Sequence, residues 1–233
     1  MVRRSARVKW IDPAGVPVEV TVVRKPVKAA RLQVRPDGTI RIVAPRSFDV
    51  EPFLMRYAGW IGERRRDLDR QAETGRGNED RLLLNGKYYR LIEGSRFRID
   101  EEQETIACSS PRSLKRNLTE MLKSAVTADA ARHTALAEGA IGRVTVRMQR
   151  TKWGSCSSSG NLNYNLRVIA LPETLREYIV VHELAHLREH NHSRAYWDLV
   201  RRHYPGYRRA EEELKRYWVL LERNRVWDGL QAA

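Results

Sequence analysis

The chain has 233 residues, room for one large or two modest domains with a buried core. Hydrophobic residues make up 42% and charged residues 31%, the balance of a globular rather than a disordered chain, and no apolar run approaches the roughly 20 residues needed to span a bilayer. The net charge of +14 favours anionic partners such as nucleic acid, nucleotides or acidic peptides, yet the basic clusters Arg64-Arg65-Arg66, Arg201-Arg202 and Arg208-Arg209 are separate and mixed with acids, as on solvated helix faces.

In chain order, the first part reads as β-structure with tight turns. Residues 16–23 and 29–35 alternate as strands do, Pro36-Asp37-Gly38 is a turn, and residues 39–44 return as the partner strand. Residues 50–70 carry Phe53, Leu54, Tyr57, Trp60 and Ile61 at helical spacing. After a polar loop at 75–80, Leu82-Leu83-Leu84 and residues 87–92 flank Asn85-Gly86, the preferred type I′ hairpin pair. A long helix is expected from Arg112 to Ala140, ending near Gly139, with Leu114, Leu118, Met121, Leu122 and Val126 on one side. Residues 144–153 and 161–169 read as a hairpin closed by the Gly/Ser-rich segment 154–160. Pro172 suits the first turn of the next helix, Ser193 caps a short one, and Gly206 starts a last helix reaching about Arg225.

This order, β, α, β, then α, β-hairpin, α, α, implies an α+β chain with a boundary near residue 110. The expected division is an N-terminal β-rich module with one long helix over residues 1–110 and a second domain over residues 111–233. The basic N-terminal segment has no apolar stretch behind it, and Cys108 and Cys156 belong to no Cys-x-x-Cys pair. Neither a secretory signal, a disulfide scaffold nor a cysteine zinc site is therefore expected, and the expected location is cytoplasmic, with no membrane partner.

The chemistry concentrates in Val180-Val181-His182-Glu183-Leu184-Ala185-His186, followed by His190, Asn191 and His192. Two histidines four apart on a helix share one face, so His182 and His186 can converge on one ion, and Zn2+ suits imidazole donors. Glu183 sits where it can take a proton from a metal-bound water without binding the ion itself. The β-branched run Ile179-Val180-Val181 implies a buried helix whose packing overrides propensity. Three candidates exist for a third ligand: His192, reached only if the chain leaves the helix after about Glu189, His190 one turn beyond His186, or a carboxylate at Glu211 or Glu212. The break supplied by Asn191 and Ser193 favours His192. His133 and His203 read as packing residues.

On these residues the chain resembles the YgjP-like metallopeptidase family, distant relatives of the SprT-like and Wss-type DNA-repair proteases. The likeness spans nearly the whole chain: Val34-Arg35-Pro36-Asp37-Gly38, the hairpin at Asn85-Gly86, Trp153-Gly154-Ser155-Cys156-Ser157, Asn161-Leu162-Asn163, residues 180–186, Asn191-His192-Ser193 and Trp197. Tyr164-Asn165-Leu166-Arg167 departs from the Asn-Trp-Arg spacing frequent in relatives. The resemblance implies a zincin-like fold, His192 as third ligand, a zinc-dependent peptidase activity and a peptide or protein substrate. An extended substrate would then lie along an edge strand beside the metal, with Val144–Trp153 the expected edge. Trp153, Gly154, Ser155 and Arg167 are the expected substrate contacts, Arg167 through an oxyanion or a phosphate. Cys156 reads as a small residue beside the site. Two rival functions remain open: hydrolysis of nucleoside triphosphate phosphoanhydrides, suggested by the net charge and by Arg150 and Arg167, and a DNA-associated protease or binding module. Against the first, phosphate chemistry usually uses carboxylate-held magnesium.

Overall fold

Alternating valines and isoleucines build the first sheet. The computed structural model describes residues 5–137 and 141–233, an α+β chain falling into two compact units, Met1–Arg76 with Trp218–Arg223 and Gly77–Tyr217 with Asn224–Ala233. In the first unit, β1 (Ser5–Ile11), β2 (Pro17–Arg24), β3 (Arg31–Val34) and β4 (Ile40–Ala44) form a sheet ordered β1-β2-β4-β3. The β3–β4 hairpin turns at Asp37-Gly38, where Gly38 has φ +85 and Asp37 Oδ1 accepts from the Thr39 amide. Val18, Val20 and Val22 of β2 and Ile40, Ile42 and Ala44 of β4 point into one core. Each such side chain contributes roughly 1.5–3 kcal/mol by leaving water.

The helix expected over 50–70 is two helices, α1 (Glu51–Arg56) and α2 (Ala58–Ala72), broken at Tyr57, whose φ of −102 and ψ of 9 leave the helical range. The buried face consists of Leu54, Ile61 and Leu68, while Tyr57 and Trp60 lie outside. Strand β1 gives no periodic signal because only Trp10 in it is buried.

In the second unit, β5 (Leu82–Leu84), β6 (Lys87–Glu93), β7 (Arg98–Asp100) and β8 (Thr105–Cys108) form a sheet ordered β5-β6-β8-β7. Asn85 and Gly86 both have positive φ, as the type I′ turn requires. The amides of Asn85 and Gly86 bond the carbonyls of Ile169 and Ala170, and Trp227 Nε1 donates to the Leu83 carbonyl. These bonds join β5 to the residues that follow, and the two compact units divide between Arg76 and Gly77.

Helix α3 (Pro111–Arg132) is capped by Ser110 and followed by a 3₁₀ turn at Thr134–Leu136. It ends well before Ala140 because His133, at φ −116 and ψ 30, turns away to place Nε2 2.8 Å from Glu177 Oε1. The end near Gly139 lies outside the described residues.

The expected hairpin of 144–153 with 161–169 takes another form. Strand β9 (Val144–Arg147) runs parallel to β11 (Leu162–Asn165), and the antiparallel partner of β11 is β10 (Gly154–Cys156). Only residues 157–160 make the tight turn, with Gly160 at φ +74. Asn165 explains the route. It is fully buried, and its Nδ2 donates to the carbonyls of Gln149 (3.0 Å) and Lys152 (2.7 Å), which stitches the crossing loop over the end of β11. Its Oδ1 accepts from the Arg167 amide, starting a 3₁₀ helix at Leu166–Ala170 and ending the strand.

Four helices follow: α4 (Glu173–Ala185), α5 (Arg194–His203), α6 (Tyr207–Glu222) and α7 (Arg225–Ala232). Pro172 precedes α4 as its N-cap, Ser193 caps α5 through the Tyr196 amide, and Asn224 caps α7 through the Trp227 amide. The last helix expected to reach about Arg225 therefore stops earlier and α7 starts anew. Among the described residues, no helix is long and apolar enough to cross a membrane.

Candidate metal centre

Helix α4 holds half of the site on a buried frame. Tyr178, Ile179, Val180, Val181, Leu184 and Ala185 are all buried, so the β-branched run is helical as expected. Its neighbour α3 grips it through a buried ion pair: Arg176 Nε lies 2.7 Å from Asp129 Oδ2, and Arg132 Nη2 lies 2.8 Å from Asp129 Oδ1. Asp129 is only 1% exposed, so removing it would leave Arg176 with Glu173, 3.3 Å away and largely exposed, as its one remaining carboxylate among the described residues.

The helix ends at Ala185, four residues before the expected break. His186 is its C-cap, and His186 Nδ1 lies 3.0 Å from the carbonyl oxygen of Glu189. A carbonyl only accepts, so Nδ1 carries the proton and Nε2 keeps its lone pair for the cluster. The chain then turns through 187–193. Asn191 Oδ1 accepts from the Ser193 amide, Ser193 caps α5, and His192 is thereby brought back over α4.

His192 Nε2 faces His182 Nε2 at 3.3 Å, and one nitrogen from each of His182, His186 and His192 lies within 4.8 Å of the other two. Nitrogens at about 2.0–2.1 Å from one tetrahedral ion would be roughly 3.4 Å apart, so the His182–His192 separation fits that geometry. Burial, then the charges of His186 and His192, push His182 down to about 3, and burial also lowers His186. Burial thus favours neutral imidazoles at His182 and His186, the state in which imidazole binds a metal. Among the described residues this is the metal-ligand cluster; the exposed His190 lies outside it, and so do Glu211, Glu212 and the half-buried Cys156.

Aromatic rings fix the histidines. Tyr196 is buried, donates its hydroxyl to the His182 carbonyl at 3.1 Å, stacks on His186 at 4.7 Å and meets His192 edge-on at 4.6 Å. Trp197 stacks on His192 at 5.5 Å and on Tyr207 at 5.2 Å, so the one exposed histidine of the cluster leans on a ring stack.

Glu183 is 4% exposed, and burial pushes its carboxyl up to about 8 against the pull of Lys152. It packs on the backbone of β10, where a Cβ on Gly154 would come within 2.5 Å of Glu183 Oε1. Gly154 is thus required by the close approach of the carboxylate. In the sheet order β10-β11-β9, β10 is an edge strand, and it packs on α4. Strand β9, within the expected edge Val144–Trp153, is the other edge of the sheet, and β10 is the edge that packs on Glu183.

The remaining expected contacts divide. Ser155 is in β10, paired with Asn163, and Trp153 precedes the strand with its carbonyl accepting from the Asn165 amide at 2.7 Å. Arg167 is buried at 2% exposure and donates through Nη2 to Gln231 Oε1 of α7. Cys156 is half-buried, its thiol pushed up by burial and by the Glu183 charge. Sequence reasoning missed Tyr196, three residues after the Ser193 cap, and Asn165, where a signal existed: an asparagine closing a strand is a natural backbone clamp.

The sequence pattern of a family described as YgjP-like, metallopeptidase domain matches residues 28–217. Among solved structures, the chain is similar to one described as the crystal structure of the metallopeptidase zymogen of Pyrococcus abyssi abylysin, with 27% identity over 47% of this chain and 97% of that one and a TM-score of 0.33. No curated protein matches the chain.

Proposed function

Since the chain belongs to the YgjP-like metallopeptidase family, we propose that it is a zinc-dependent peptidase built on His182, His186 and His192, with Glu183 as the general base. The observation that carries this reading is the convergence of three imidazole nitrogens, with the buried Glu183 next in sequence to the first of them. The donor set fits the ion: three neutral nitrogen ligands that leave a position open are the pattern of a catalytic zinc site.

Zinc held there would supply a Lewis acid toward a water and a substrate carbonyl. The protein's own residues do the rest. The Glu183 carboxylate, adjacent in sequence to His182, takes a proton from the attacking water and returns it to the departing amine. Gly154 lets that carboxylate sit against the strand, and the free edge of β10 offers main-chain groups to an extended peptide. Phosphoanhydride hydrolysis is less well supported, because Arg167, one of the arginines that suggested it, is buried against Gln231.

Metal analysis of the purified chain, followed by paired peptide and nucleoside triphosphate hydrolysis assays, tests the reading. About one zinc per chain and peptide cleavage sensitive to chelation are expected. Triphosphate hydrolysis without peptide cleavage would reverse the assignment.

A further inference from the structure

Between Glu138 and Glu173 the sequence has no acidic residue, yet it carries Arg143, Arg147, Arg150, Lys152 and Arg167. Arg167 is buried; the other four are exposed. Among the described residues none of these four enters a salt bridge. Elsewhere in the same unit arginines commonly do, as with Arg81–Glu104, Arg98–Asp100, Arg201–Asp198 and Arg225–Asp80. A positive net charge alone does not produce this contrast, since many other cations sit beside acids.

The placement gives the contrast a use. Arg147 ends β9, and Arg150 and Lys152 lie on the loop that crosses the end of β11 to reach β10, the edge strand beside Glu183. The loop is held firmly, because buried Asn165 binds both Gln149 and Lys152 through their backbones. Lys152 is two residues before Gly154, and its charge is the one whose field reaches Glu183. Cations on a fixed backbone at one end of a substrate-binding edge raise the local concentration of anions and select them over neutral side chains.

We propose that Arg147, Arg150 and Lys152 form a cationic rim that makes the site prefer peptides with aspartate or glutamate side chains near the cleaved bond. This inference rests on the peptidase reading of the same site and names its substrate class. Peptides are favoured over nucleic acid because the rim adjoins a strand edge able to pair with an extended backbone.

The test uses the zinc-loaded full chain and two fluorogenic peptides, identical except that three acidic residues in one are Asn or Gln in the other. The wild type should cleave the acidic peptide with kcat/KM roughly tenfold higher, an advantage that shrinks between 50 and 300 mM salt, as expected for exposed charges. In Arg147→Gln/Arg150→Gln/Lys152→Gln the ratio should fall to about two or less. The ratio is the readout, since loss of Lys152 also alters the field at Glu183. A wild-type ratio near one, or a ratio untouched by the triple substitution, overturns the proposal. If neither peptide is cleaved, the peptidase reading has failed, and fluorescence anisotropy of the same two peptides still decides whether the rim selects acids. A single-stranded oligonucleotide is the third probe: binding lost in the triple variant, with no peptide preference in the wild type, would give the rim to nucleic acid and also overturn the proposal.

Discussion

The two sides of the candidate centre are built on different principles. His182 and Glu183 stand on α4, a buried helix clamped to α3 by the Asp129–Arg176 pair, and their positions follow from backbone geometry. His192 stands on an exposed turn and is located by what it leans on: Tyr196, Trp197 and the Ser193 cap. Helix-borne groups should therefore give all-or-none effects when replaced, and the turn-borne ligand graded ones.

The largest effect is expected at the helix. His182→Ala or His186→Ala should reduce zinc occupancy below about a tenth in a dialysed sample, because two ligands rarely hold a catalytic zinc; full occupancy in both variants would remove them from the site. Glu183→Gln should keep the metal and lose turnover by about 10²–10⁴-fold, as removal of a general base does. Gly154→Ala sharpens the same point from the strand side. Its methyl would occupy space now taken by Glu183 Oε1, so zinc should stay while kcat falls by about 10²-fold.

Asp129→Ala addresses the frame rather than the chemistry. Taking the buried partner from Arg176 and leaving it only the exposed Glu173 should cost about 3 kcal/mol in urea unfolding. On the turn-borne side, Trp197→Ala should weaken zinc binding by roughly 10-fold in a chelator competition, and Trp197→Phe should recover most of the loss, because another ring can stack on His192. Equal losses for both would show that the contact is not ring stacking.

The same contrast governs what the sequence could reveal. His182, Glu183 and His186 were legible because helical spacing turns a linear pattern directly into a face. The turns at Asp37-Gly38 and Asn85-Gly86 were legible because their backbone angles demand those residues. His192 was placed through a chain break, but the break itself was read four residues late. No Gly, Pro or Asn marks the end of α4 at Ala185; it is set by the His186 bond to the Glu189 carbonyl, a tertiary detail without local signature. Strand β10 was hidden for a similar reason. Gly154-Ser155-Cys156 has no apolar alternation, and it becomes a strand because Asn165 routes the chain beside β11. Arg167 was read as a substrate contact because charge usually signals exposure, and its hydrogen-bond partner Gln231 lies 64 residues away.

One measurement bears on the central claim more directly than any activity assay. A crystal structure of the zinc-loaded chain, with anomalous data collected at the zinc edge, should show a single ion about 2.0–2.1 Å from Nε2 of His182, His186 and His192, with Glu183 beside it but not bound. An ion bonded to His190 with His192 pointing to solvent, or one completed by Glu211 or Glu212, would contradict it.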